Sequence, residues 1–151
     1  MRESIFTKIV AGEIPCHRVY EDDRVLAFLD IGPVSRGHTL VIPKDCYVEL
    51  DEMPAEVAGA LGAVLPRLVA AVREATGCDG VNVLQNNGAA AGQAVMHVHF
   101  HLIPRYGQTK HDSTDGVGGR GFCFEWPAGK LPDADAKLLQ QSIGEALKKQ
   151  S

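Results

Sequence analysis

Apolar residues recur at helical spacing in three segments of the chain and at strand-like spacing in four others. The helical segments are residues 4–11, 51–75 and a last one that starts at Asp133. Ser4 is the predicted N-cap of the first helix, and Pro66 predicts a kink in the second. Short apolar runs bounded by turn residues predict strands at residues 25–30, 38–43, 79–85 and 95–104.

The connections between the predicted strands favour one fold class. Short turns join most neighbouring strands and few helices cross between them, which favours an α+β domain with an antiparallel sheet over a doubly wound fold. We expect a sheet of about five strands, one long helix and one or two shorter helices. Residues 1–108 are predicted to form the main domain. Residues 109–151 are predicted to form a C-terminal extension, a glycine-rich segment plus a helix, packed on that domain.

Charge and composition exclude several classes of function. The 151 residues include 15 Lys and Arg against 19 Asp and Glu, a net charge of −4. Proteins that bind long nucleic acids usually have a basic excess, so we expect no nucleic-acid partner. We find no apolar run near the roughly 20 residues of a membrane span and no signal-peptide pattern, and therefore expect a cytoplasmic protein without a membrane partner. The four cysteines form no C-x-x-C pair.

Three histidines within five residues are the most informative feature of the sequence. His97, His99 and His101 alternate with apolar residues in the last predicted strand. Because side chains of a strand alternate between its two faces, the apolar residues should point into a core and the imidazoles should form a row on the other face. Such a row can donate and accept hydrogen bonds and can titrate near neutral pH.

Three interpretations fit this row of histidines: an exposed polar strand face, a metal site completed by His38, or a nucleophilic histidine with two supporting histidines. Residues 86–94 precede the row and are rich in Asn, Gly and Ala. Backbone N–H groups of such a loop suit a bound anion, and Gln93 is placed to share the face of the histidines. The loop favours the third interpretation, because a phosphate needs clustered donors and a metal does not.

The stretch from His97 to Ile103 reads His-φ-His-φ-His-φ-φ, where φ is apolar, and in this it resembles the histidine triad nucleotide-binding family. The similarity continues, in the family's order, over residues 4–9, 13–15, 25–31, 37–44, 92–93 and 103–106. The last of these segments, Ile-Pro-Arg-Tyr, resembles the bacterial branch of the family. The resemblance implies the α+β histidine triad fold, with residues 1–108 as the catalytic domain.

The resemblance also implies hydrolysis or transfer at the α-phosphate of a nucleotide, through a nucleotidyl-histidine intermediate. His99 would be the nucleophile, and His97 and His101 would orient it and donate to phosphate oxygens. His38 would support the cluster from its neighbouring strand, and Gln93 would donate near the leaving group. The implied substrates are purine nucleoside phosphoramidates, mixed anhydrides or dinucleoside polyphosphates.

A nucleotide pocket follows from the same resemblance. The base would lie against apolar side chains, which are Ile5, Phe6, Ile9 and Phe28. Asp30 would accept hydrogen bonds from the ribose hydroxyls, and Asn86 and Gly92 would lie on the phosphate side. Without the resemblance, the apolar residues are simply core residues, and Asp30 and Asn86 are turn residues.

Three departures from the family pattern limit this transfer of roles. Ser4 and Thr7 stand where zinc-binding relatives have thiolates, so that Cys46 and His97 remain as only two ligands and we expect no structural zinc. Ala94 replaces a serine of phosphoramidate-cleaving relatives, which weakens the case for amine leaving groups. The segment 109–130 matches poorly, and its candidates for substrate contacts are Lys110, Arg120 and Trp126.

The leading hypothesis is therefore a nucleoside phosphoramidase or dinucleoside polyphosphate hydrolase of the histidine triad type, acting on a purine nucleotide. We expect no required cofactor, and Mg²⁺ only as the companion of a polyphosphate substrate. The alternatives are a nucleotide-binding regulatory module with little turnover and a metalloprotein built on His38 and the triad. Homodimerisation is expected from the resemblance alone.

Overall fold

The structure is a computed structural model that describes residues 2–106 and Gln140. Its elements in chain order are α1 (Ile5–Val10), β1 (Arg18–Glu21), β2 (Val25–Leu29), β3 (Thr39–Pro43), α2 (Ala55–Thr76), β4 (Gly80–Gln85) and β5 (Phe100–Arg105). Short 3₁₀ turns lie at Leu50–Glu52 and Ala89–Ala91. The helix predicted after Asp133 and the candidates Lys110, Arg120 and Trp126 lie outside the described residues.

The described strands form one antiparallel sheet in the order β1-β2-β3-β5-β4. This confirms the predicted α+β class with about five strands, one long helix and a shorter one. The register of β2 and β3 runs without interruption from Val25 opposite Pro43 to Leu29 opposite Thr39. Just beyond this pairing the Asp30 N–H donates to the His38 carbonyl at 3.0 Å, which fixes the two residues side by side.

The central strands β2 and β3 are almost entirely buried because helices cover both faces of the sheet. The buried cluster that includes residues of α2 consists of Val25, Ala27, Val41, Leu61, Val64, Leu68 and Leu102. The cluster that includes residues of α1 consists of Phe6, Ile9, Leu26, Phe28, Leu40 and Ile42. Successive strand residues therefore serve opposite layers, and full burial of one large apolar side chain contributes about 1.5–3 kcal/mol.

Helix α1 begins where the sequence predicts, with Ser4 as its N-cap. The Ser4 hydroxyl oxygen accepts from the backbone N–H groups of Phe6 and Thr7, and Thr7 Oγ1 accepts from the Ser4 N–H at 3.0 Å. This reciprocal pair satisfies donors that the first helical turn leaves without a partner. The helix turns the buried side chains of Phe6 and Ile9 towards the sheet.

Helix α2 runs for 22 residues and continues through Pro66 as one helix. Its buried stripe is Val57, Leu61, Val64 and Leu68, at the spacing the sequence predicts. Gly77 ends the helix in the left-handed region, at φ +64°. By length and composition alone α2 is long and apolar enough to cross a membrane, so the expectation that the chain has no such apolar run was wrong. The buried stripe of α2 packs on the sheet.

Strand β5 is shorter than the predicted strand at residues 95–104, because it starts at Phe100. The chain bends before it: the His97 N–H donates to the Val95 carbonyl at 2.8 Å, and the Val98 N–H donates to the Tyr47 carbonyl at 2.7 Å. The first two histidines of the triad therefore lie in the bent segment that leads into β5. Only His101 lies in the regular strand, opposite Leu40 of β3.

Candidate active site

Two histidines of the triad, His97 and His99, pack against the ring of Phe6 in α1. His97 is 0% exposed and His99 is 4% exposed, and His38 is buried as well. The interpretation of the row as an exposed polar strand face is therefore wrong. The rings of His99 and His101 meet edge to face with centroids 4.9 Å apart, and those of His38 and His101 lie 5.1 Å apart.

His99 has one ring nitrogen held by the backbone. Its Nδ1 lies 2.7 Å from the carbonyl oxygen of His97. A carbonyl oxygen only accepts, so Nδ1 carries a proton, and the neutral form of the ring has its lone pair on Nε2. The ring of Phe6 packs edge-on against His99, with centroids 5.3 Å apart, and restrains its orientation from the side of α1.

His38 and His101 form a chain of hydrogen bonds that begins at the backbone. The Val34 N–H donates to His38 Nδ1 at 3.1 Å, so His38 carries its proton on Nε2. That Nε2 lies 2.9 Å from His101 Nδ1 and donates to it. His101 in turn carries its own proton on Nε2. The backbone N–H of Val34 thus sets the tautomer of His101 through the ring of His38.

Burial keeps the rings of His38 and His101 uncharged at neutral pH. It lowers the pKa of His101 to about 4, and a proton on His99 or His38 would lower that pKa further by repulsion. Burial also lowers the pKa of His38, and the nearby Asp30 carboxylate opposes that change. A neutral His101 is required for the chain, because its Nδ1 must accept the hydrogen bond from His38.

The ring of His97 is not placed to donate to a phosphate oxygen, which is the role that the resemblance implies for it. Its Nε2 donates to the Pro43 carbonyl at 2.8 Å, and its Nδ1 lies 2.9 Å from the Ser4 hydroxyl. Both ring nitrogens are therefore occupied within the protein, and burial lowers the pKa of the ring. His97 orients His99 through its backbone carbonyl, and its ring has no N–H left for a phosphate oxygen.

Gln93 is also held by the backbone. Its Oε1 accepts from the Gly88 N–H at 2.7 Å, and its Nε2 donates to the carbonyls of Val48 at 2.6 Å and Val95 at 3.1 Å. The side chain is buried and closes the loop of small residues. In this arrangement a contact between the amide and a leaving group requires one of these bonds to open.

The expected nucleotide contacts fall into two groups. Phe6, Ile9 and Phe28 share the α1 layer, with Phe6 and Phe28 ring centroids 5.7 Å apart, whereas Ile5 is half-exposed. Asp30 lies beside His38, with its Oδ2 at 3.6 Å from His38 Nδ1, and its Oδ1 accepts from the Gly32 N–H. On the other side Asn86 lies next to Gly92, which adopts a φ of +85°.

The sequence suggests a metal site made of His38 and the three histidines of the triad. A different set of residues lies close enough to share a metal ion. In the described part of the chain the group is Asp30, His38 and His101, with one ligand atom from each within 4.8 Å of the others. His97 instead lies 2.9 Å from the Ser4 hydroxyl, and the Cys46 thiol donates to the Met96 carbonyl at 3.8 Å. Binding a metal at His38 and His101 would displace hydrogen bonds that these rings already make.

Three contributors to the site are missing from the sequence-based set. They are the hydroxyl of Ser4, the N–H of Val34 and the carbonyl of Pro43. Ser4 is visible in the sequence as an N-cap, but its partner His97 is 93 positions away. The other two contribute backbone atoms, which every residue type offers, so no sequence signal identifies them.

Comparison with known proteins gives the class to which this fold and site belong. The sequence profile of the HIT domain matches residues 11–108, so the chain belongs to the HIT family. Adenylylsulfatase HINT3 of Arabidopsis thaliana is 48% identical over 103 residues, which cover 68% of this chain and 52% of that protein, so the chain spans about half the length of that relative. Adenosine 5'-monophosphoramidase hnt1 of Schizosaccharomyces pombe is 42% identical over 144 residues, 95% of this chain and 98% of that protein. A crystal structure of a HIT family member from Bacillus subtilis superposes with a TM-score of 0.82 at 40% identity, covering 95% of this chain and 96% of the other.

Proposed function

We propose that this protein is a nucleotide hydrolase or transferase that acts at the α-phosphate of purine nucleoside phosphoramidates, mixed anhydrides or dinucleoside polyphosphates. Two relatives are named for such chemistry, an adenylylsulfatase and an adenosine monophosphoramidase. The observation that carries the proposal is the 2.7 Å hydrogen bond from His99 Nδ1 to the His97 carbonyl. It leaves the lone pair on Nε2, which a nucleophilic imidazole requires.

In the first proposed step, Nε2 of His99 attacks the α-phosphorus. A P–N bond forms, the bond from phosphorus to the leaving group breaks, and the leaving group takes the electron pair. An amine leaving group also takes up a proton from solvent. The imidazole becomes cationic, and its Nδ1–H remains bonded to the His97 carbonyl. His101 carries a proton on Nε2 and would donate it as a hydrogen bond to a phosphate oxygen. One such preorganised donor contributes about 3–4 kcal/mol to the transition state.

In the second proposed step, water attacks the phosphorus of the nucleotidyl group on His99. The P–N bond breaks, its electron pair returns to Nε2, and a proton of the water passes to solvent. The nucleoside monophosphate is released, and the imidazole regains the tautomer that the His97 carbonyl selects. In a transfer reaction another nucleophile takes the place of water in this step.

The nucleoside part of the proposal rests on the surroundings of α1 and β2. The apolar layer of Phe6, Ile9 and Phe28 adjoins the triad, and half-exposed Ile5 offers a surface for a planar base. The Asp30 carboxylate is an acceptor suited to ribose hydroxyls. We further propose that no cofactor takes part, and that Mg²⁺ enters only with a polyphosphate substrate.

Mass spectrometry of the quenched reaction tests the proposal. The protein is incubated with adenosine 5'-phosphoramidate and, separately, with an adenylyl mixed anhydride, and the intact mass is read after denaturation at alkaline pH, because acid would hydrolyse the P–N bond of the adduct. We expect an added nucleoside monophosphate on the wild type and none on His99→Ala. His17→Ala is the matched control, because His17 is an exposed histidine outside the site, and it should form the adduct like the wild type.

Other outcomes would favour the alternatives. Tight binding of adenosine monophosphate without an adduct or turnover on any substrate would indicate a nucleotide-binding regulatory module. Stoichiometric zinc or iron in the purified protein, with activity lost to chelators, would indicate a metalloprotein and would draw attention to Asp30, His38 and His101. Either result would overturn the proposed histidine chemistry.

A further inference from the structure

The hydroxyl of Ser4 joins the start of α1 to the triad. Ser4 is the N-cap of α1, and its Oγ accepts from the N–H groups of Phe6 and Thr7 at 3.1 and 3.2 Å. The same Oγ lies 2.9 Å from Nδ1 of His97. One oxygen atom therefore serves both a helix terminus and the first histidine of the triad.

The direction of each hydrogen bond follows from the partners. His97 Nε2 faces the Pro43 carbonyl at 2.8 Å, so the ring proton is on Nε2 and Nδ1 has a lone pair. The Ser4 hydroxyl has one proton and two lone pairs. The lone pairs accept the two backbone N–H groups of α1, and the proton is donated to His97 Nδ1. The hydrogen-bonding capacity of Ser4 is thus fully used.

This arrangement clamps His97 at several points. Its ring is held between Ser4 and Pro43, and its N–H donates to the Val95 carbonyl at 2.8 Å. The last hydrogen-bonding group of His97 is its carbonyl oxygen, which accepts from His99 Nδ1. Fixing the ring and the peptide of His97 fixes the position of that carbonyl, and the carbonyl selects the tautomer of His99.

We propose that Ser4 is a positioning residue for the nucleophile: its hydroxyl fixes His97, and through the His97 carbonyl it keeps the proton of His99 on Nδ1. The inference rests on the proposed function, because it takes His99 as the nucleophile. The same hydroxyl also connects α1, which carries Phe6 and other proposed base contacts, to the ring of His99. Phe6 supports this link, since its ring packs against both His97 and His99.

A simpler role for Ser4 is that it only caps α1, and the chain offers variants that separate the two roles. Ser4→Gly removes the hydroxyl, while glycine replaces serine at an N-cap at a cost of only a few tenths of a kcal/mol. Thr7→Ala removes the other half of the capping box, the Thr7 Oγ1 that accepts from the Ser4 N–H, and leaves the bond to His97 in place. Ser4→Thr restores a hydroxyl.

The first measurement is steady-state kinetics on adenosine 5'-phosphoramidate. Loss of one hydrogen bond of ordinary strength should lower kcat of Ser4→Gly about tenfold. Its KM should stay within about twofold, because α1 remains capped. Ser4→Thr should recover most of kcat, and Thr7→Ala should keep the wild-type kcat. Equal loss of kcat in Thr7→Ala and Ser4→Gly, or unchanged kcat in Ser4→Gly, would overturn the proposal.

The second measurement is side-chain ¹⁵N NMR of the histidines, which needs no turnover. In the wild type and in Thr7→Ala we expect His99 to carry its proton on Nδ1, and in Ser4→Gly we expect a mixture of tautomers with a changed Nδ1 resonance of His97. If His99 keeps one tautomer in Ser4→Gly, the proposal is overturned. If the wild type turns over no substrate, the proposed function fails, and the NMR result decides the link from Ser4 to His99 by itself.

Discussion

The histidines of the site differ in what their ring nitrogens do, although the residue type is the same. His97 has both nitrogens bonded within the protein, whereas His99 has Nδ1 on a carbonyl and carries the lone pair of its neutral form on Nε2. His38 passes a hydrogen bond from the backbone to His101. The role of each ring is thus set by its partners, because an imidazole with one nitrogen committed has only one choice left for its proton.

The lowered pKa of His101 predicts a pH-dependent stability. Its pKa is about 4 in the folded protein, against 6.5 for an unperturbed histidine. Between these values the unfolded chain binds more protons than the folded one, so the free energy of unfolding should fall as the pH is lowered through this window. Chemical denaturation at several pH values measures this slope.

Carboxylates also titrate in this pH range, and two variants separate the contribution of His101 to the slope from theirs. His101→Gln removes the group and should give a shallower dependence of stability on pH. His17→Ala, which removes an exposed histidine outside the site, should keep the wild-type slope. An unchanged slope in His101→Gln would show that the folded protein does not lower the pKa of His101.

Among the elements, the turn that carries His38 into β3 packs closely against the end of α2. Gly37 precedes His38 and has a φ of +88°. A Cβ there would lie 2.5 Å from Cγ2 of Thr76, the last residue of α2, and 3.3 Å from Cγ of Pro104. No side chain fits between these elements, so glycine is required both for its backbone conformation and for space.

Gly37→Ala should therefore cost more stability than the same change at an open position. Gly12 is the matched control, because its φ is +77° and a Cβ there meets nothing within 4 Å. Gly12→Ala should cost about 1–2 kcal/mol from backbone strain, and Gly37→Ala about 1–3 kcal/mol more from overpacking. Chemical denaturation gives both values. Adding Thr76→Ser should recover part of the loss, and equal costs at both glycines would argue against the clash.

At the scale of the molecule, the two edges of the described sheet differ in character. Strand β1 carries Arg18 and Glu21, and charged residues on an edge strand discourage pairing with another sheet. Strand β4 at the opposite edge, Gly80–Gln85, has no charged residue. Val83 in β4 is 48% exposed. We propose that the homodimer expected from the family resemblance forms through the β4 edge rather than the β1 edge.

Sedimentation analysis should find twice the chain mass of 16.2 kDa for the wild type. Val83→Lys should shift the protein towards the monomer, because a charge at the proposed interface has to be desolvated. Val19→Lys is the control, since Val19 lies in β1 and is 50% exposed. A monomeric wild type, or equal dissociation by both lysines, would contradict a dimer through β4.

The fold class and the residues of the triad are predictable from the sequence. Periodicity predicts α1, α2 and the main strands because the face that each residue occupies is a local property of helix and strand geometry. The spacing of His97, His99 and His101 likewise marks the site without knowledge of the rest of the chain. It placed all three in one strand, however, and that strand starts only at Phe100.

The hydrogen-bond partners of each histidine ring depend on the fold and have no signal in the local sequence. The proton of His99 is placed by a backbone carbonyl in a bent segment, and that of His101 by a chain from Val34 through His38. The partners of His97, Ser4 and Pro43, are 93 and 54 positions away. Hydrogen bonds depend on positions in space, and for groups this distant in the chain the packing of α1 against the sheet sets those positions.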